Sequence, residues 1–141
     1  MKVWIPVLVL AVAIGVLLYV QAGKNQPPSN IISQTNANIQ VIQPVVNGTV
    51  TSPLVIFGKA VGNWYFEASF PIKLYNNNNV LIGQTTAQAQ GDWMTTNFVP
   101  FTASLTFPAQ ATGSVGTLVL EKDNPSGELQ NADSYSMNVT F

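Results

Sequence analysis

Residues 64–74 read Trp-Tyr-Phe-Glu-Ala-Ser-Phe-Pro-Ile-Lys-Leu. Trp64, Phe66, Ala68, Phe70, Ile72 and Leu74 alternate with Tyr65, Glu67, Ser69, Pro71 and Lys73, a period of two that lays one apolar row on one face of a strand. The stretch therefore predicts a single half-buried β-strand with Trp64 in the core. Pro71 has no N–H to donate, so the strand is expected at a sheet edge, or bulged where it passes that residue.

Working outward, the same alternation recurs twice. Phe101, Ala103, Leu105 and Phe107 interleave with Thr102, Ser104 and Thr106, and Tyr135, Met137, Val139 and Phe141 repeat the pattern up to the last residue. Shorter candidates lie at 39–42, 54–60, 80–89 and 115–121, separated by the turn-rich stretches PVVNGTVTSP, AVGN, NNNN and KDNPSGE. Seven strands within residues 39–141, with no helix needed, predict an all-β antiparallel immunoglobulin-like sandwich in which each one-sided sheet covers the other. An open barrel is the structural rival. Asn76–Asn79 is expected to be a tight turn, since Asn tolerates positive φ and bonds its own backbone. Four neutral amides would bring no charge to a calcium ion. Asp123, Asn124, Ser126 and Glu128 form a better oxygen cluster, yet Asn-Pro-Ser-Gly is also a plain turn signal, and a turn is expected there.

Toward the N-terminus the pattern changes. Residues 23–38, GKNQPPSNIISQTNAN, are rich in Asn, Gln, Ser and Pro and predict a flexible tether. Before it, Val3–Val20 is an uncharged apolar run of 18 residues following Lys2. As a helix it would rise about 27 Å, close to a hydrocarbon core, with Trp4 and Tyr19 near its ends where aromatic rings favour the headgroup layer. Residues 1–22 are thus expected to be a transmembrane signal anchor, with secretion after signal cleavage near Ala22 as the alternative. Either way the domain would be exported, in the first case as a single-pass protein of the cell membrane with its C-terminal domain outside the cytoplasm.

Composition closes several chemical routes. The 141 residues contain no Cys and no His, which removes thiol and imidazole catalysis, disulfides and the common zinc sites. There are five Lys and no Arg, and within 39–141 six carboxylates face three lysines, a formal charge of minus three that disfavours nucleic acid. No catalytic residue, metal or cofactor is expected. The residues with most to offer a ligand or partner are Tyr65, Glu67, Tyr75 and Trp93: two tyrosines expected on a sheet surface, one carboxylate within the patterned strand, and a tryptophan after Gly91-Asp92 that either packs or stacks on a sugar or peptide.

These segments also carry a resemblance. IQVIQPVVNGTVTSPLVIFGKA, WYFEASFPIKLYNNNNVLIG, GDWMTTNFVPFTASLTF and GTLVLEKDNPSGE, with Pro44, Gly48, Ser52-Pro53-Leu54, Gly58, Phe66-Glu67, Trp93 and Phe101 at characteristic places, resemble the immunoglobulin-like domain of the Gmad2 family of spore-germination and sporulation-associated proteins. The resemblance covers about residues 39–141. It implies an extracytoplasmic immunoglobulin-like module without enzymatic activity. The expected partners are the membrane, through the N-terminal helix, and an envelope protein or cell-wall glycan. The leading expectation is a structural or protein-interaction role at the bacterial envelope, and the alternative is a carbohydrate- or peptidoglycan-binding module using exposed aromatics.

Overall fold

The computed structural model describes residues 34–141. The expected N-terminal helix and most of the tether lie outside the described residues. Within them the elements are β1 (Gln34–Thr35), β2 (Ile39–Gln43), β3 (Leu54–Val61), a 3-10 turn (Gly62–Trp64), β4 (Ser69–Tyr75), β5 (Leu81–Ala89), β6 (Phe98–Leu105), β7 (Val115–Glu121), a second 3-10 turn (Leu129–Asn131) and β8 (Ser134–Thr140). Seven strands of five to nine residues therefore form the domain. The two-residue β1, inside the span expected as tether, adds antiparallel pairing to the outer edge of β2.

The strands run in the order β1-β2-β3-β6-β5-β4-β7-β8, every neighbour antiparallel. β5 is the hinge of this order. It pairs with β4 from Ser69–Gln88 to Tyr75–Leu81, but with β6 only at Gln88–Thr102 and Ala89–Phe101. The sheet therefore turns a corner at β5 into two layers, β1-β2-β3-β6 and β5-β4-β7-β8, whose inner faces meet. On the opposite side the segment after β2 crosses to β8: the Asn47 N–H donates to the Asn138 carbonyl (2.8 Å), the Val50 N–H to the Thr140 carbonyl (2.8 Å) and the Thr140 N–H to the Gly48 carbonyl (2.9 Å). This parallel contact, Thr49 beside Thr140, brings the sandwich close to a barrel.

The inner faces are filled by the alternating residues. Ile56, Ile72, Leu74, Leu105, Leu118, Leu120 and Val139 are all fully buried, and Phe70 is the aromatic centre. Its ring meets those of Phe101 at 5.0 Å, Tyr65 at 5.2 Å and Trp64 at 5.7 Å, each edge-on, the arrangement that ring quadrupoles favour. Gly58 is required where β2 bulges between Val41 and Gln43, because a Cβ there would run into the Gln40 carbonyl.

The stretch 64–74 departs from its expected form. The strand begins only at Ser69, because Gly62–Trp64 is a 3-10 turn and Phe66–Ser69 closes a tight turn of its own. The Phe66 N–H and Ser69 N–H exchange bonds with each other's carbonyls (3.0 and 3.1 Å), and Glu67 and Ala68 between them take φ of 50° and 62°. Two left-handed residues in a row are the signature of the primed hairpin turn, whose twist matches the flanking chain. Alternation is thereby reset: Trp64 and Tyr65 both point inward and Phe66 stands out at 43% exposure. From Phe70 to Leu74 the expected inward row is in place.

Pro71 is also only partly as expected. β4 is an interior strand, between β5 and β7, and not an edge. Its pairing with β7 begins at Ile72, however, so the proline sits just beyond the end of that ladder. A missing donor is tolerated inside a sheet when one neighbour has not yet begun.

Candidate functional site

The three loops 62–68, 90–97 and 122–133 lie at one end of the sandwich, because β3, β5 and β7 all finish there and β4, β6 and β8 all start there. They are tied together through the backbone. The Gly62 N–H donates to the Asn97 carbonyl (3.1 Å), the Asp123 N–H to the Trp64 carbonyl (3.0 Å) and the Ala89 N–H to the Ala68 carbonyl (2.8 Å). Gly62 is needed for this closure, since a Cβ would meet the carbonyls of Thr95 and Trp93. Asn38 extends the cluster by donating its Nδ2 to Asp133 Oδ2 (2.9 Å).

Three of the four residues singled out by sequence belong to this end. Glu67 is exposed at the tip of its tight turn. Trp93 is half-buried, its ring packed against the core from within the 90–97 loop, with a remainder left to solvent. Tyr65 is not on the surface as expected. It is 3% exposed and its hydroxyl donates to the Val99 carbonyl at 2.7 Å, which makes it a core residue with a satisfied polar tip. Burial pushes its pKa up to about 12, a backbone hydrogen bond at Ala60 opposing the rise. Tyr75 stands apart, at the far end of β4, about 20 Å away along the strand. It is half-buried beside the Asn76–Val80 hairpin. There Asn76 Oδ1 accepts from the N–H groups of Asn78 (2.9 Å) and Val80 (3.0 Å), and Asn79 takes φ 58°, the turn expected of that run.

The electrostatics of the molecule are uneven. Five of the six carboxylates, Glu67, Asp92, Asp123, Glu128 and Asp133, are on the three loops at this end, with Lys122 as the one lysine among them. The sixth, Glu121, is bound by Lys73 Nζ at 2.8 Å across the β4–β7 pair, and that hydrogen bond raises the pKa of the lysine against the desolvation that lowers it. The loops 44–53, 76–80 and 106–114 at the opposite end carry no charged side chain.

Within KDNPSGE the side chains of Asn124 and Ser126 bond each other and the backbone of Glu128. Asn124 Nδ2 donates to the Glu128 carbonyl (2.9 Å), Ser126 Oγ to Asn124 Oδ1 (2.7 Å), and the Glu128 N–H to Ser126 Oγ (3.2 Å). Among the described residues no group of three or more acidic, His or Cys side chains could hold a metal ion. Two shallow hollows border the loops, one of about 410 Å³ between Glu121, Asn124 and Asp133, the other of about 310 Å³ between Asp92, Thr95 and Pro100. Both are open depressions suited to surface contact. What sequence missed was the convergence of the carboxylates. They are scattered from 67 to 133, and only the strand order brings them to one end.

The profile of Gmad2, the immunoglobulin-like domain of bacterial spore germination, matches residues 38–128. The chain belongs to this family. No curated protein and no solved structure gives a significant match. The Gmad2 domain described here runs past the end of the matched segment, for β8 begins at Ser134 and contributes Met137, Val139 and, just beyond it, Phe141 to the core. It is a non-catalytic immunoglobulin-like module of the structural and interaction kind. Of the residues quoted for the resemblance, Gly58, Phe101 and Trp93 have a packing role in the domain, while Phe66 and Glu67 form the exposed side of its tight turn.

Proposed function

We propose that the chain is a membrane-tethered, extracytoplasmic immunoglobulin-like module of the bacterial envelope, holding or recruiting other envelope proteins without performing chemistry on them. The observation that carries this reading is the division of the surface. An acidic loop end, an opposite end whose loops carry no charged side chain, and two open hollows are features for contact with a macromolecule. The apolar run Val3–Val20 and the Pro- and Asn-rich residues after it supply the anchor and tether. A domain without cysteine fits this setting because its core rests on sheet packing and needs no redox partner. Membrane fractionation of cells producing the full chain tests the anchoring: the protein is expected in the carbonate-resistant membrane fraction, and recovery from the medium would favour the cleaved, secreted form.

The half-exposed Trp93 favours one second reading, a glycan- or peptidoglycan-binding module in which the indole stacks on a sugar ring. Sedimentation with purified cell wall separates the two readings. Wall binding that saturates and is lost in a folded Trp93→Ala variant supports the glycan module, whereas absence of binding leaves the protein-interaction reading.

A further inference from the structure

β8 leaves part of its backbone unpaired. It stands last in the strand order, with β7 on one side, and in an antiparallel ladder alternate residues turn both N–H and C=O toward the same neighbour. The Lys122 N–H donates to the Asp133 carbonyl and the Phe141 N–H to the Ser114 carbonyl, both at 2.9 Å, which assigns the odd-numbered residues of 133–141 to β7. The even-numbered ones therefore face away. Of these, Thr140 bonds Gly48 and Val50, and the Asn138 carbonyl accepts from Asn47. Both groups of Ser134, both of Ser136 and the N–H of Asn138, five in all, have no partner among the described residues.

This open edge is about 14 Å long, four strand rises, and it has definite ends. Asn38 Nδ2 bonds Asp133 Oδ2 just before it, and the 47–50 segment closes the edge after it, where Asn47 at φ 58° turns that segment away from the strand. Nothing in β8 guards the gap. The strand contains no lysine and no proline, and its register with β7 is free of bulges, the devices that ordinarily keep an exposed edge single. The other edge of the order, on β2, is covered by β1 at Gln40 and Val41.

We propose that Ser134–Asn138 is a strand-addition site, which takes an extended segment of another envelope protein as a further strand beside β8. The inference deepens the recruiting role given above and rests on it. Backbone chemistry selects the occupant. The outward groups recur at every second residue, about 6.8 Å apart, a spacing that an extended chain matches and a sugar or lipid does not. A second copy of β8 does not fit, because a two-fold pairing that uses the whole edge sets Asn138 opposite Ser134, and there Asn47 already holds the Asn138 carbonyl. The pleat then dictates the pattern of the occupant. Residues opposite Tyr135 and Met137 point to the inner side with them, and residues opposite Ser134, Ser136 and Asn138 point to solvent. The segment is polar-apolar-polar-apolar-polar, which reads the same in either strand direction, and it lacks proline where an N–H is needed.

The probe is the end-blocked peptide Gly-Thr-Val-Thr-Val-Thr-Gly, titrated into isotope-labelled full-length chain in detergent micelles while the backbone amides are followed by nuclear magnetic resonance. In the chain alone, the Ser134, Ser136 and Asn138 amides are expected to exchange with solvent about tenfold faster, or more, than those of Met137 and Val139. With the peptide, the three are expected to shift together and saturably, and to gain about tenfold or more in protection. Ser136→Pro removes a donor that β7 does not use and is expected to weaken binding about tenfold. Ser134→Pro, at the first residue of the strand, replaces it if that variant does not fold. A control peptide whose three central residues are proline has no N–H to offer there and is expected not to bind. Protection of the three amides in the chain alone overturns the proposal, as does the absence of a saturable shift with the alternating peptide. So do shifts centred on another edge, equal binding of the proline control, or binding undiminished in the folded proline variant. These outcomes leave the anchoring read by membrane fractionation untouched, and loss of anchoring leaves this titration unchanged, so the two readings fail separately.

Discussion

Phe70 touches three aromatic rings and is fully buried, so the whole aromatic centre depends on one side chain from β4. Phe70→Ala is expected to cost about 3–5 kcal/mol, measured by denaturant unfolding. Tyr65 contributes differently. Its hydroxyl is hydrogen-bonded to Val99, and Tyr65→Phe is expected to cost about 1 kcal/mol at neutral pH. The sign of its pH dependence follows from the raised pKa. The folded state holds the phenol proton more tightly than the unfolded chain, so this stabilisation is complete below the ordinary value of 10.0 and is lost as pH rises through about 12. Melting temperature measured from pH 8 to 12 is expected to fall above pH 10, and to fall less in Tyr65→Phe. Glu67 and Ala68 both hold positive φ without being glycine or asparagine. Replacing the pair with Asn-Gly is expected to raise stability by about 1–2 kcal/mol, and an unchanged midpoint would mean that the turn is not left-handed in solution.

At the scale of elements, the strands that alternate over a long stretch were legible from sequence, and the turns between them only where their chemistry is explicit. Phe101–Leu105 and Tyr135–Val139 lie in strands as their alternation predicts, and Asn76–Asn79 turns as its amides predict. Residues 64–68 misled because a 3-10 turn and a tight turn in succession happen to preserve apolar spacing without being extended, and neither Glu nor Ala advertises positive φ. Pro71 misled because a proline reports only one side of its own strand, whereas edge or interior position depends on how far the neighbours run. β8 matters more than its place beyond the family match suggests. It pairs with β7 along its whole length, and Asn138 and Thr140 hold the 47–50 segment that nearly closes the sandwich. A chain ending at Ser136 loses Met137, Val139 and Phe141 from the core together with that closure, and is expected to lose its cooperative thermal transition. Melting like the intact chain would contradict this.

For the whole molecule, the composition could exclude chemistries but could not place charge. That the carboxylates gather at one end, and that one sheet face has none, follows from the strand order. Candidate residues were partly legible for the same reason: Glu67 and Trp93 reach one end, Tyr65 is core, and Tyr75 is at the other end of its strand. The acidic end suits the displayed interaction module proposed above, and display outside the cytoplasm is the claim on which the rest of that proposal depends. It is tested most directly by placing the single thiol Ser136→Cys in the full chain, producing it in a bacterium, and treating intact cells or spheroplasts with a membrane-impermeant maleimide. The account predicts labelling of membrane-associated protein before lysis, to the same extent as after it. Labelling that appears only once the membrane is broken would contradict the account.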